Sequence, residues 1–387
     1  MAAPPTTRRL TGVDCARGLA VLGMYATHVG PDPDRGGVTG FICELATGRS
    51  SALFALLAGF SLTLITGRPR PRTGRAGRQA VGRILIRAVV LLVVGTALSV
   101  LDTPVNVILA YYGLAFFFVL PLYRLRASLL ATIAATTALL APQILYAIRI
   151  SLEEGSWGDT VSSYDPLTRI SGADGLLDLL FTGSYPVLTW LPFLLAGMAV
   201  GRLDLGRYAV RVRLAVTGGA LAVLGYGGSW LALHLVPHGY AALGRGTDGP
   251  SPSSAWWSDT VGDPIHPFRE WLLVAAPHSE TTPSIVGNTG VALAVLAVCL
   301  IALDRLPHVR RLAAPVIAVG TMALTTYVLQ ILAIWLFWGD DLPSSLLVLL
   351  GFSAAAMAFA VVWSRLFPRG PLEYLLHTAT KPARLIK

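Results

Sequence analysis

Charge is scarce in this sequence, and so is cysteine. Asp, Glu, Lys and Arg make up 13% of its 387 residues, about half the share of a typical soluble domain. The long apolar runs also lack the strand-like alternation and polar faces of a soluble domain, which excludes a water-soluble protein with a large core. The three cysteines, Cys15, Cys43 and Cys299, are too scattered for a disulfide framework and lack the spacing of metal ligands. We therefore expect no metal.

What the sequence does contain is hydrophobic residues, 54% of the chain, gathered into runs of roughly 18–25 residues. Each run is long enough to cross about 30 Å of hydrocarbon. The pattern predicts an all-α, polytopic helical membrane protein, a single transmembrane domain over residues 1–387 with about ten transmembrane helices. The predicted helices cover approximately residues 11–30, 50–67, 82–101, 105–123, 128–148, 185–203, 213–236, 284–304, 312–338 and 343–366.

The distribution of Lys and Arg between the connecting segments predicts the orientation. With the amino terminus inside, 24 of the 30 basic residues lie on the cytoplasmic side, and Lys and Arg in short loops set topology. Both termini are therefore predicted to be cytoplasmic, and the lipid bilayer is the expected partner. Because the Arg residues are dispersed over several patches, the basic pI of about 9.8 predicts no nucleic-acid binding. Arg17 interrupts the first apolar stretch, so we interpret it as an uncleaved helix.

Four connecting segments are long enough to carry function. Three are on the predicted outer side, residues 31–49, 149–184 and 237–283, and the fourth is the Arg-rich cytoplasmic loop 68–87. Long loops held by a rigid scaffold often bear binding and catalytic residues. The alternative for the outer segments is a flexible or interfacial loop whose Trp residues sit at headgroup level.

The first helix carries three ionisable residues, Asp14, Arg17 and His28, and ionisable groups inside a membrane span mark functional sites. Asp14 and Arg17 are three residues apart and can pair. Arg17 and His28 are 11 residues apart, almost three whole turns, so they share a face about 16 Å apart along the axis. Histidine is suited to take a proton near neutral pH. The alternatives are a topological role for Arg17 and a headgroup-level position for His28.

Further polar residues lie on the outer side. His266 and His278 form a second histidine group, and His278 is followed by Ser279 and Glu280. Adjacent residues rarely converge on one atom, so these three do not predict a local triad. His234 and His238 have i, i+4 metal spacing but no third ligand.

The ninth predicted helix carries Thr325, Thr326, Tyr327 and Gln330. These side chains could line a polar cavity, or bond to neighbouring helices.

The opening of the chain, Arg-Leu-x-x-Val-Asp-x-x-Arg-Gly-Leu-Ala-Val-Leu-Gly-Met from Arg9 onward with His28 at its end, carries a family resemblance. It resembles the start of the YeiB-like family of bacterial membrane proteins. It is also similar to the first helix of heparan-alpha-glucosaminide N-acetyltransferase and of the membrane acyltransferases with an Arg-x10-His motif. Later stretches that resemble the family are 53–61, 185–204, 277–279, 290–292, 324–327 and 370–374.

The resemblance implies transfer of an acyl group, with acetyl the expected one, from cytoplasmic acyl-CoA to a small-molecule, glycan or lipid acceptor outside the bacterial plasma membrane. Arg17 and His28 match the Arg and His of the motif. The implied catalytic roles are His28 as general base and His278 as a second candidate. The donor phosphates are expected near Arg17, with Asp14, and near the Arg-rich loop 68–87. Ser279, Tyr327 and Gln330 are the candidates for substrate or oxyanion contacts.

Two other function classes stay open from the sequence. One is a proton-coupled transporter or exporter of a small metabolite, in which His28 and His278 form a proton relay. The other is a structural membrane protein whose loops bind a partner. A homodimer also stays open.

Overall fold

The computed structural model describes residues 10–101, 103–155, 157–171, 175–246, 252–258, 268–339 and 344–387, and within them the chain is helical, without strands. The α-helices are α1 Thr11–Val29, α2 Gly37–Ala46, α3 Arg49–Thr66, α4 Gly74–Ser99, α5 Leu109–Val119, α6 Ala127–Glu154, α7 Trp157–Tyr164, α8 Pro166–Ser171, α9 Val187–Gly201, α10 Tyr208–Ala222, α11 Gly228–Leu235, α12 Gly239–Gly246, α13 Thr282–Arg305, α14 Pro307–Leu312, α15 Ala314–Thr321, α16 Ala323–Phe337, α17 Leu346–Leu366 and α18 Pro371–Ala379.

In each of the ten predicted apolar runs the described residues are mainly helical, which confirms the fold class. Among the described residues, six helices are long and apolar enough to cross a membrane, or seven if the bent pair α15 and α16 is one span. The apolar helices α5 and α9 are shorter, and the polar residues of α1 dilute its hydrophobicity. The total of ten spans and the cytoplasmic termini stay predictions.

The outermost helices turn apolar side chains away from the protein. In α17 only 6% of the most apolar stretch is buried, and Leu347, Leu350 and Val362 are all largely exposed. A water-soluble protein rarely exposes apolar patches of this size. These surfaces are therefore the ones that the bilayer covers.

Inside the bundle, helices approach through glycine. A Cβ on Gly59 of α3 would lie 1.9 Å from the carbonyl oxygen of Leu194, and one on Gly197 of α9 would lie 1.8 Å from that of Leu56. Small residues bring helices together in lipid, where packing replaces the hydrophobic effect as the driving force. The α3–α9 pair thus forms a tight wall beside α1, which packs against α3, α13 and α15.

The run 312–338, predicted as one helix, is broken, and this corrects the prediction. α15 and α16 meet at Met322 with a bend of 87°. A Cβ on Gly320 would lie 1.7 Å from the carbonyl oxygen of Asp14, so α15 lies directly on α1 just before the bend. At the break, Glu373 of α18 accepts hydrogen bonds from Leu324 N at 2.8 Å and Thr325 N at 3.1 Å. The carboxylate satisfies amide groups that the first turn of α16 leaves unpaired.

The long connections also hold more helix than predicted. The Arg-rich loop 68–87 is irregular only as far as Thr73, because α4 begins at Gly74. The segments predicted to be on the outer side contain α2, α7, α8 and α12. Arg49 ties two of them, since it donates to the carbonyl oxygens of Glu44 and Trp257 and lies 5.0 Å from the Tyr226 ring centre. The described parts of segments 31–49 and 237–283 are therefore in direct contact.

Cysteine labelling tests the predicted orientation. We expect Ser253→Cys, in the outer segment 237–283, to react with an impermeant thiol reagent on intact cells. Ala76→Cys, at the start of α4, should react only after permeabilisation, because the Lys and Arg asymmetry places it inside. The native cysteines are buried, so the wild-type protein supplies the background. Labelling of Ala76→Cys alone on intact cells would reverse the orientation.

Candidate active site

Helix α1 carries the two residues of the Arg-x10-His spacing in one uninterrupted helix, Thr11–Val29. Their axial separation is about 16 Å. Both side chains face the broken pair: Arg17 contacts α15, and His28 lies beside Gln330 of α16. The structure therefore places a cation and an imidazole at opposite ends of the α1 face that contacts α15 and α16.

Arg17 is fully engaged at the end of α1 that is predicted to be cytoplasmic. Its Nη1 donates to Asp14 Oδ1 at 3.2 Å and to the carbonyl oxygen of Gly320 at 3.3 Å, and its Nη2 donates to Ser61 Oγ at 3.1 Å. The sequence-predicted pair with Asp14 is present. Because Gly320 lies in the last turn of α15, the cation also faces the negative end of a helix. Arg17 joins α1, α3 and α15.

His28 lies at the other end of α1 in a polar cluster. Gln330 of α16 and His278 both lie within interaction distance of its imidazole. Among the described residues, Nδ1 of His28 and both amide atoms of Gln330 are buried and make no hydrogen bond of normal geometry. Buried polar atoms without partners are costly. A polar group of a substrate would therefore be stabilised here.

His278 lies near His28 and packs against two aromatic side chains. Its ring lies 5.3 Å from that of Tyr185, edge to face, and 6.1 Å from that of Trp190, nearly parallel. His278 and Glu280 have φ angles of 58° and 59°, in the left-handed region that residues other than glycine rarely adopt. Such backbone geometry tends to cluster at functional sites.

Glu280 is a further member of this cluster, and the sequence did not predict its hydrogen-bond partners. Its carboxylate is buried and accepts hydrogen bonds from Trp190 Nε1 at 3.0 Å and from Thr189 Oγ1. Burial raises the pKa of this carboxyl, while the two hydrogen bonds and nearby His278 act to lower it. The sequence shows an acidic residue next to His278, but only the fold brings it to α9.

Tyr327 precedes Gln330 by one helical turn, so the two share a face of α16. Its hydroxyl accepts a hydrogen bond from Ile108 N at 3.2 Å and keeps its own proton to donate. Ser279 is turned to its own loop, since its Oγ donates to the carbonyl oxygen of Ala276 at 2.7 Å. The structure thus brings His28, His278 and Gln330 together, while Ser279 bonds elsewhere and Arg17 with Asp14 lies at the far end.

Two residues singled out from the sequence, Arg9 and His266, lie outside the described residues. Within the described ranges, no group of three or more His, Cys, Asp or Glu side chains could hold a metal ion. The site combines the imidazoles of His28 and His278 and the carboxylate of Glu280 with the amide of Gln330 and the phenol of Tyr327 on α16. These groups suit proton transfer and the stabilisation of a developing oxyanion.

Two protein-family models match the chain, one in its N-terminal part and one in its C-terminal part. Residues 265–382 match the model described as protein of unknown function (DUF418). Residues 9–235, more than half of the chain, match the model described as heparan-alpha-glucosaminide N-acetyltransferase, catalytic. No curated protein matches the chain. The matched region contains α1 with Arg17 and His28 and also Thr189 and Trp190 of α9, and the chain belongs to the family of the heparan-alpha-glucosaminide N-acetyltransferase catalytic domain.

Proposed function

We propose that the protein is a transmembrane acetyltransferase that transfers an acetyl group from cytoplasmic acetyl-CoA to an acceptor on the outer side of the bacterial plasma membrane. The observation that carries the proposal is the position of Arg17 and His28 at opposite ends of α1, with His28 in a buried cluster of unsatisfied polar atoms. Membership of the acetyltransferase family supports the same chemistry.

In the proposed reaction, the amine or hydroxyl of the acceptor attacks the thioester carbonyl carbon while His28 takes its proton. Tyr327 and Gln330 donate hydrogen bonds to the oxyanion of the tetrahedral intermediate. The carbon–sulfur bond then breaks, the protonated His28 returns the proton to the leaving CoA sulfur, and the acetylated acceptor leaves. His278, which packs against Tyr185 and Trp190 and lies near Glu280, contacts the acceptor or relays the proton away.

The direct test is turnover by the purified protein in lipid nanodiscs. We expect free CoA thiol to appear from acetyl-CoA when an amino sugar or another nucleophilic acceptor is supplied. A protein that neither binds nor consumes acetyl-CoA, yet moves a solute when a proton gradient is imposed, would be a transporter instead.

Arg17 allows a sharper test of the donor end. We expect Arg17→Ala to weaken acetyl-CoA binding more than Arg17→Lys does, because loss of the charge costs more than loss of the guanidinium geometry. Since Arg17 also joins three helices, Ser61→Ala is the matched control, for it removes one of the same hydrogen bonds and keeps the cation. Equal affinity of wild type and Arg17→Ala by calorimetry would leave Arg17 a purely structural residue.

A further inference from the structure

A cationic pocket lies where the first turns of α4 meet the C-terminal segment. Its volume is about 210 Å³. Basic side chains line it from three stretches of the chain, namely Arg72, Arg83, Arg87, His377, Lys381 and Arg384. Among the described residues, no carboxylate forms an ion pair with any of the four Arg or with Lys381. Five permanent cations therefore share one small space.

The walls of this pocket are fixed. Arg78 Nε donates to the carbonyl oxygen of Lys387 at 2.7 Å, and Gln79 Nε2 donates to that of Arg384 at 2.9 Å. A Cβ on Gly82 would lie 2.4 Å from Ile386 Cδ1, so the C-terminal segment rests on the α4 backbone. On the other side, Glu373 binds α18 to the start of α16. The cations are held together by these contacts despite their mutual repulsion.

The electrostatic field of the pocket acts on its histidine. Burial and the cations Arg369, Arg384, Arg87 and Lys381 together lower the pKa of His377. An anion is the group that would relieve this repulsion. Arg side chains that converge on one point favour phosphate, whose oxygens accept several charge-assisted hydrogen bonds at once.

The remaining wall is apolar and leads toward the candidate active site. Leu64 and Ile65 of α3 form this wall, and Thr380 completes the lining. Ile65 lies four residues, about 6 Å along the helix axis, beyond Ser61, which accepts the hydrogen bond from Arg17. A ligand with its phosphates among the cations could extend its uncharged part along α3 to α1.

We propose that this pocket is a phosphate-binding site, built jointly by the first turns of α4 and the C-terminal segment, for a ligand with a phosphate head and an uncharged arm. Two sources carry such a head, a soluble nucleotide thioester and an anionic phospholipid. That the ligand is the acyl donor rests on the proposed function, whereas the phosphate site itself does not.

The test compares two double variants of the full chain in nanodiscs of zwitterionic lipid. Arg83→Gln with Arg384→Gln removes one cation from each main wall. Arg310→Gln with Arg311→Gln removes two exposed cations of α14 and is the matched control. Each lost hydrogen bond to a charged group costs about tenfold or more in affinity. We expect CoA affinity, measured by calorimetry, to fall at least a hundredfold in the pocket variant and to stay near wild type in the control.

Further ligands and variants identify which phosphate binds in the pocket and whether it belongs to CoA or to a phospholipid. If the 3′-phosphate of CoA occupies the pocket, dephospho-CoA should bind wild type as weakly as the pocket variant binds CoA. Arg83→Lys with Arg384→Lys, which keeps both charges, should recover most of the affinity and so separates ligand contact from misfolding. A pocket variant that keeps its CoA affinity but no longer retains anionic phospholipid in native mass spectrometry assigns the site to a lipid headgroup.

The outcomes separate this inference from the proposed function. Acyl transfer with unchanged CoA and phospholipid affinity in the pocket variant would overturn the phosphate site alone. CoA binding that depends on the pocket, in a protein that transfers no acyl group to any acceptor, would overturn the proposed function and leave the site standing.

Discussion

His28→Ala should lower acetyl transfer by about 10²–10⁴-fold, the usual contribution of a general base, while the protein stays folded and still binds acetyl-CoA. The imidazole lies beside Gln330 and near His278, at the end of α1 predicted to face outside and about 16 Å from Arg17. Without the imidazole, no base takes the proton of the attacking amine or hydroxyl, whereas the region around Arg17 is unchanged. The measurement is the rate of CoA release with a supplied acceptor, in monodisperse wild-type and variant protein.

The other histidines are the controls for this prediction. His278→Ala should cost less activity than His28→Ala, because His28 and not His278 has the Arg-x10-His spacing from Arg17. His234→Ala should have little effect, since His234 is exposed and its Nδ1 lies 2.7 Å from the carbonyl oxygen of Trp230, outside the cluster. Near wild-type turnover by His28→Ala together with an inactive His278→Ala would show that His278 is the base. No effect of either change in an active preparation would refute histidine catalysis.

Glu280→Ala should lower the free energy of unfolding by about 1–3 kcal/mol, the cost of one buried donor left unsatisfied. The substitution removes the hydrogen-bond acceptor of Trp190 Nε1, whereas Thr189 Oγ1, which also donates to Glu280, has the carbonyl oxygen of Pro186 as a second acceptor at 3.3 Å. His278 should also lose its orientation, so transfer should fall along with stability. Glu280→Gln keeps one acceptor oxygen and should be milder on both measures, which thermal melting and the transfer assay can read in parallel.

The pH dependence of melting provides a second test of Glu280. Because burial raises the pKa of its carboxyl, the folded protein holds this proton more tightly than the unfolded chain does. The contribution of Glu280 to the free energy of unfolding is therefore largest below the ordinary pKa of a glutamate. It falls as pH rises through the window between that value and the raised one. The melting temperature of wild type relative to Glu280→Gln should drop across this window, and a constant difference would contradict the raised pKa.

The break between α15 and α16 links the two ends of the candidate site. α15 presents its last carbonyl groups to Arg17, and α16 presents Tyr327 and Gln330 toward the His28 end. A straight helix over 312–338 could not lie on α1 at Gly320 and also direct its second half as α16 does. The contact at Gly320 and the capping by Glu373 therefore shape the site together.

The sequence by itself determined the class of protein and the axis of its site. Apolar runs of about twenty residues must satisfy their backbone groups internally in lipid, which favours helices, and the described residues of these runs are mainly helical. The spacing of Arg17 and His28 is likewise a property of the helix period, which needs no tertiary information. For that reason their placement at opposite ends of α1 followed directly from the order of residues.

Only the tertiary structure decided which distant residues meet. Glu280 finds Thr189 and Trp190 some 90 positions away, and the cationic pocket joins residues 64–87 to residues 377–384. The periodicity of one helix carries no information about the face of another. Such contacts depend on the close approach of helices at glycine, as at Gly320, and on the bend at Met322. Side-chain packing between helices determines these features, and local helix propensity does not.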